Sequence, residues 1–341
     1  MLQRLGICLG LAAVLGGCST EQAEVAELSG PTMGTAYRVQ LSPSPDRREL
    51  AILQLRIDEH LRLINAVFST YLDDSAITRF NRTTSTEWQD APADLVELIR
   101  RAERISRKTE GRYDITVGPL VRAWGFGRDG GNDTPPSRAS IAAVKPTIGF
   151  RKLTWQSEPP MLRKQVSGLE IDLSSIAKGW AVDQVGMLLE AQGFTDYLVD
   201  IGGETLARGH KSNGEPWRIA VERPGQVRSA QGAMEAVDIA LATSGDYRNF
   251  FEHDGRRYSH TIDPLTGQSV RHRLASVTVL ADTVTDADAW ATALLVLGDE
   301  AGPRMAEKEQ IAALFLLRDG EDFLEKTSSE FDRLVEWTRL Q

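Results

Sequence analysis

The stretch Asp172-Leu173-Ser174-Ser175-Ile176-Ala177-Lys178-Gly179-Trp180-Ala181-Val182-Asp183 constrains the fold more than any other. Before it, Leu169, Ile171 and Leu173 alternate as a strand does, and Val182, Val185, Leu188 and Leu189 then repeat at helical spacing. A strand must therefore turn sharply into a helix. The N–H groups at a helix start are unpaired and carry partial positive charge, so such a junction takes either a side-chain cap or an anion. Ser174 or Ser175 suits the cap. The same hydroxyls, the Lys178 ammonium and the room left by Gly179 suit the anion. Taken alone, the stretch reads first as a capped helix.

The amino terminus carries one basic residue, Arg4, then an apolar run over 5–14 and the ending Leu15-Gly16-Gly17-Cys18. The run is too short to span a bilayer but suits the core of a secretory signal peptide, and a cysteine after small residues matches a bacterial lipobox. The sequence thus predicts a signal peptide over 1–17, acylation of Cys18, an acidic aperiodic linker over 18–30, and a folded region over 31–341 built as one body or two interlocked subdomains. A lipid anchor would hold the protein to a membrane on the extracytoplasmic, periplasmic side. Ser19 after the cysteine points to the outer membrane where a cell has two. Of the two cysteines, Cys8 leaves with the signal and Cys18 is spent on lipid, which leaves neither a disulfide nor a thiol catalyst. The formal net charge of −9 argues against nucleic acid as a partner. It also means that a polyanionic ligand needs a cation or a focused site.

Alternation over 34–41 predicts a strand, with Met33 beside it as core filler or as a thioether lying on a flat ring. Leu50, Leu53, Ile57, Leu61, Ile64 and Val67 keep helical spacing after Asp46. A polar, aromatic segment follows, in which Tyr71 is either a stacking platform or a packing residue, and 75–81 forms a short helix. A second long helix is expected over 91–109. Beyond it Asp114 and Thr116 lie between apolar neighbours, where polar side chains serve as caps or as ligand contacts. A helical turn to Trp124, an exposed loop over 125–136, a helix over 137–144 and a strand over 152–155 lead to the opening stretch. After it come strands over 197–201, 217–221, 236–242, 275–280 and 311–317, alternating with turns as in an antiparallel sheet. The fold class is α+β, and the closing segment 321–337 is left unassigned.

Two late segments carry chemistry. Among five histidines, His260 alone sits within Ser, Thr and Asp in a strand-to-turn run, Ser259-His260-Thr261-Ile262-Asp263-Pro264, and is the candidate general base. In Asp282-Thr283-Val284-Thr285-Asp286-Ala287-Asp288, Thr285 and Asp288 fit a capping box, with Asp286 favourable to the helix dipole. Against that, Asp288 and Thr292 are four apart and share one helix face. A carboxylate beside a hydroxyl is a hard oxygen pair that suits magnesium or calcium.

Met33-Gly34-Thr35, Ser69-Thr70-Tyr71 with Phe80-Asn81, the run from Tyr113 to Leu120, the opening stretch, Asp200-Ile201-Gly202-Gly203, the His260 run and Asp288 with Thr292 together resemble, in order, the ApbE family of flavin transferases, the FAD:protein FMN transferases. The resemblance implies an α+β fold with T-fold-like sheet and helix units that binds FAD in a cleft. It implies Met33, Tyr71, Asp114, Thr116, Asp172, Lys178 and Ile262 as FAD contacts. A Mg2+ would sit on Asp288, Thr292 and Ser175, the last through its backbone carbonyl. Trp180 departs from the tyrosine that many members carry after the Lys-Gly pair. The implied reaction joins FMN to a Thr or Ser of an acceptor protein, such as a respiratory-complex subunit, and releases AMP. Hydrolysis of FAD to FMN and AMP, or non-catalytic flavin binding by a lipid-anchored protein, are the alternatives.

Overall fold

The computed structural model describes residues 25–128, 130–131, 133–225 and 229–340. The predicted signal peptide and Cys18 lie outside these residues. No helix among the described residues is long and apolar enough to cross a membrane.

The chain opens with β1 (Ala26–Thr32) and β2 (Thr35–Leu41), an antiparallel pair. The first corrects the end of the linker expected over 18–30, since residues 26–30 are strand while 18–24 lie outside the described residues. Ala26 and Leu28 are buried while Glu27 and Ser29 face out, an alternation too short and too weakly apolar to stand out in sequence. Helix α1 (Arg47–Phe68) follows, capped by Asp46, whose carboxylate accepts the Glu49 N–H at 2.8 Å. It buries Leu53, Ile57, Leu61, Ile64 and Phe68. Then come α2 (Ala76–Arg82), β3 (Gln89–Asp90), α3 (Ala93–Lys108), α4 (Gly118–Ala123), α5 (Arg138–Val144), β4 (Leu153–Ser157) and β5 (Pro160–Lys164). Helix α6 (Ala177–Ala191) leads to β6 (Tyr197–Ile201) and β7 (Glu204–Arg208). The single strand expected over 236–242 is the end of β9 (Ala230–Ala236) and most of β10 (Ile239–Gly245), after β8 (Trp217–Glu222). Short hairpins β11 (Phe250–His253) with β12 (Arg256–Ser259), and β13 (Ile262–Asp263) with β14 (Gln268–Ser269), carry the His260 run. The chain closes with β15 (Leu274–Ala281), α7 (Val284–Lys308), β16 (Ala312–Asp319), β17 (Asp322–Thr327), α8 (Ser329–Leu334) and β18 (Trp337–Arg339).

Eight strands form one antiparallel sheet in the order β1-β2-β6-β7-β10-β15-β16-β17. Strand alternation divides its residues between two cores. Tyr197, Val199 and Ile201 of β6 face the helices α1, α3, α6 and α7, with Val277, Val279 and Phe315. Leu198 of β6 faces the other way, with Leu241, Leu280 and Leu314, against Trp217, Ile219 and Val221 of a small sheet ordered β18-β9-β8 and against Phe331 of α8. A third apolar cluster, of Leu120, Trp124, Ile141, Phe251, Tyr258 and Ile262, anchors the hairpins beside the main sheet. The turn between β6 and β7 is made by Gly202 and Gly203 at φ 68° and 108°, conformations that a side chain would strain. That turn, the end of β10 and the starts of α6 and α7 converge on one cavity.

Candidate active site

A cavity of about 690 Å3 opens where these elements meet. Its size suits a cofactor-sized ligand. Asp172, Ser175, Lys178, His260, Ile262, Asp288 and Thr292 all line it, with Tyr71 more exposed on its wall.

The opening stretch does not fold as a serine-capped helix. The Asp172 carboxylate accepts the Ser174 N–H at 2.9 Å, and the N–H groups of Ile176 and Ala177 turn back to the Leu173 carbonyl at 3.0 and 2.8 Å. The helix starts only after Ile176, with no side-chain cap. The Ser175 hydroxyl instead donates to the Tyr113 hydroxyl at 3.0 Å. These bonds remove most of the open N–H groups on which an anion site would rest.

The Gly179 N–H is spent differently. In a regular helix Gly179 would donate to the Ser175 carbonyl, four residues back. Here it donates to Asp288 Oδ2 at 3.0 Å, and the Ser175 carbonyl receives no backbone N–H among the described residues. This approach requires glycine, because a Cβ at 179 would lie 2.4 Å from the Val284 carbonyl oxygen and 2.9 Å from the Asp288 Cβ. One turn beyond Asp288, the Thr292 hydroxyl shares a hydrogen bond with Ser244 at 2.9 Å. The capping box expected at Thr285 and Asp288 does not form, and the cap lies two residues earlier. Thr283 is the N-cap and accepts the Asp286 N–H at 3.2 Å, while Thr285 binds Asp183.

Asp288 is 3% exposed, and burial pushes its carboxyl above the ordinary carboxylate range against the pull of Lys178 and the Gly179 N–H. Lys178 is ion-paired with Glu204, itself 2% exposed, whose Oε2 has no hydrogen-bond partner among the described residues. Burial works against the Lys178 charge, but Glu204, Asp288 and Asp200 more than restore it. One ammonium thus faces three carboxyl groups, and burial pushes all three above the ordinary carboxylate range, Glu204 to about 8; a divalent cation would favour their ionised forms.

No group of three or more His, Cys, Asp or Glu side chains that could hold a metal occurs among the described residues. The hard oxygen donors that line the cavity are one carboxylate (Asp288), one hydroxyl (Thr292) and the Ser175 carbonyl, which takes no backbone N–H among the described residues. This set fits Mg2+, which keeps waters and substrate phosphates and takes few protein carboxylates.

On the opposite wall, His260 Nδ1 lies 3.0 Å from the Asn249 carbonyl oxygen. A carbonyl can only accept, so Nδ1 carries the proton and Nε2 presents its lone pair. Phe126 meets the ring edge-on, and burial keeps the imidazole below its ordinary pKa. Asp263 shapes the following turn by accepting the Leu265 N–H at 2.9 Å and pairing with Arg112 at 2.7 Å.

Two residues expected at the flavin are not brought to the cavity. Thr116 is fully buried, and its hydroxyl donates to Asp114 at 2.6 Å and accepts the Gly149 N–H at 2.7 Å. Met33 occupies the β1–β2 turn at φ 49° and packs on the main core. Asp114 does line the cavity, but its carboxylate is engaged by Thr116 and by the Phe150 N–H at 2.7 Å. Sequence reasoning missed Asp183, Glu204, Asn249 and Asn81. The Asn81 amide bonds both backbone groups of Ile171, at 2.8 and 2.7 Å, and so holds the approach to Ser175. Lys164 secures the same approach, its buried ammonium held by the Asn81, Thr83 and Leu169 carbonyls at 3.3, 2.8 and 3.0 Å.

Comparison with known proteins places the chain in a family. The profile of the ApbE family matches residues 33–315. An FAD:protein FMN transferase from Vibrio cholerae is 43% identical over 95% of this chain and 97% of its own length. The solved flavin transferase ApbE from Vibrio cholerae superposes with a TM-score of 0.83 at 41% identity, covering 92% of this chain and 99% of that one. The apo flavinyl transferase ApbE from Pseudomonas stutzeri gives a TM-score of 0.83 at 39% identity, covering 92% and 97%. With a profile match over most of its length and relatives this similar end to end, the chain belongs to the ApbE family.

Proposed function

We propose that this protein is a Mg2+-dependent FAD:protein FMN transferase. The observation that carries the reading is the diverted Gly179 N–H, which turns the Ser175 carbonyl, Asp288 and Thr292 into one oxygen donor set in a cavity that also holds the open Nε2 of His260. The names of the relatives support the substrate and the reaction. Bound Mg2+ would neutralise the FAD diphosphate and the charge that develops on the departing AMP. Asp288, Thr292 and the Ser175 carbonyl would hold it, and Lys178 would face the same phosphates.

His260 Nε2 takes the proton from a Thr or Ser hydroxyl of the acceptor. The hydroxyl oxygen bonds to the phosphorus of the FMN half as the P–O bond to AMP breaks, so the acceptor gains an FMN phosphoester and AMP leaves. Ile262 and Tyr71 offer apolar and aromatic surface to the flavin. The lipid anchor on Cys18 belongs to the same proposal, since it would place the enzyme on the extracytoplasmic face of a membrane with acceptors such as respiratory subunits.

The test incubates the protein with FAD, Mg2+ and a candidate acceptor and weighs the acceptor by mass spectrometry. Transfer adds one FMN per modified hydroxyl with matching AMP. Free FMN with an unchanged acceptor mass means hydrolysis, and retained FAD without AMP means binding alone. His260→Ala is expected to keep FAD binding and lose about 10²- to 10⁴-fold in rate. Because only the neutral imidazole is a base, the acid limb of wild-type kcat/KM should lie below pH 6.5. A variant that turns over normally removes His260 from the mechanism.

A further inference from the structure

Helices α6 and α7 meet at two rungs one turn apart. At one rung Gly179 donates to Asp288. At the other, Asp183 Oδ1 accepts the Val284 N–H at 2.9 Å, and Oδ2 accepts the Thr285 N–H at 2.9 Å and the Thr285 hydroxyl at 2.5 Å. Gly179 and Asp183 are four apart on α6, and Val284 and Asp288 are four apart on α7, so both rungs lie on facing stripes. The start of α7 already has its own cap, since Thr283 accepts the Asp286 N–H. Asp183 therefore does something that capping alone does not require: from another helix, it takes the first two N–H groups and one side chain of α7.

We propose that Asp183 is a positioning residue that sets the axial register of α7 against α6, and through it the placement of Asp288 opposite the Ser175 carbonyl. A slip of one residue along α7 moves it about 1.5 Å and turns it about 100°, which would carry Asp288 out of the donor set. Mg2+ tolerates little of this, because it demands near-octahedral geometry at about 2.0–2.1 Å. A carboxylate suits the task because its two oxygens bind consecutive N–H groups at once and its charge is favoured at a helix start. The Gly179 contact holds one point of the crossing through a single hydrogen bond, and Asp183 adds three more at the start of α7.

This inference rests on the magnesium reading above, and the experiment separates the two. Mg2+ is titrated into FAD-saturated protein without acceptor and followed by thermal melting, and the Mg2+ concentration for half-maximal transfer is measured in parallel. Asp183→Asn should need at least tenfold more Mg2+ in both measurements. Thr283→Ala removes a cap from the same turn without touching α6, and should melt lower while its Mg2+ requirement stays within twofold of wild type. Thr285→Val, which deletes one of the three bonds to Asp183, should shift the requirement the same way by a smaller factor, and it decides the matter if Asp183→Asn does not fold. Equal Mg2+ requirements in wild type, Asp183→Asn and Thr285→Val overturn the positioning role and leave the magnesium reading standing, as does a Thr283→Ala shift as large as that of Asp183→Asn. A wild type indifferent to Mg2+ overturns both.

Discussion

Helices α6 and α7 both begin at the cavity, yet one start is left loose and the other is fastened twice. At α7, Thr283 caps from within and Asp183 from the neighbouring helix. At α6, Ile176 offers no cap, the first N–H groups fold back onto Leu173, and Gly179 gives its ladder bond to Asp288. A lost ladder bond leaves a carbonyl unpaid within the protein, and such a group is retained where something else binds it. The contrast assigns different tasks: the start of α7 is the doubly fastened arm that carries a carboxylate, and α6 is the side that exposes backbone to a ligand.

The largest expected effect comes from removing the Asp288 carboxylate, one turn into the doubly fastened start of α7. Asp288→Ala should lower transfer by at least about 10³-fold, since the charge that holds the cation is gone. Its metal-free stability should depend less on pH than that of wild type, because the lost group is a buried carboxyl whose pKa is raised. Such a group binds its proton more tightly in the folded state, so its stabilisation is present below its ordinary 3.8 and is lost as pH rises through the elevated folded value. Thermal melting across pH 4–8 without Mg2+ should therefore show a shallower decline in Asp288→Ala than in wild type. A variant that melts well below wild type at every pH and keeps its activity would make Asp288 a structural residue.

A smaller effect is expected from filling the gap between the helices. In Gly179→Ala the added methyl meets the Val284 carbonyl, backbone that cannot rotate away, so α6 and α7 must part. Overpacking of this kind costs about 1–3 kcal/mol, and a displacement near 1 Å at the donor set costs about 10²-fold in rate. Calorimetric unfolding together with transfer rates at saturating Mg2+ would check both figures. A stable, fully active variant would show that the close crossing is not what aligns the two starts.

The sequence revealed one of these starts better than the other. Asp288 and Thr292 were legible as one helix face because helical spacing is local, and the long amphipathic runs of α1 and α3 were legible for the same reason. His260 was legible by its company in a polar turn. Asp183 was not, because its partners Val284 and Thr285 lie about a hundred residues away and only the packing of two helices joins them. Glu204 read as the residue after a glycine turn, and nothing local shows that its side chain turns inward to Lys178. Asp114 and Thr116 read as caps or ligand contacts, and the fold instead uses them as a clip between neighbouring loops. Ser174 and Ser175 misled because serine before a helix is the ordinary cap, whereas the Asp172 carboxylate takes the Ser174 N–H and delays the helix until Ala177.

The smallest effect is the one that best distinguishes backbone from side chain at the loose start. If Ser175 acts through its carbonyl, Ser175→Ala keeps the donor and loses only the bond from its hydroxyl to Tyr113. That bond is neutral and partly buried, so its loss should cost about 1 kcal/mol of stability. Transfer rate and Mg2+ requirement should both stay within about twofold of wild type, since no ligand atom is removed. Denaturant unfolding measures the first quantity, and Mg2+ titration of the transfer rate measures the second. A silent unfolding curve with a severe loss of activity would place the hydroxyl on the cation, and α6 would then contribute a side chain where its diverted ladder bond says it contributes its backbone.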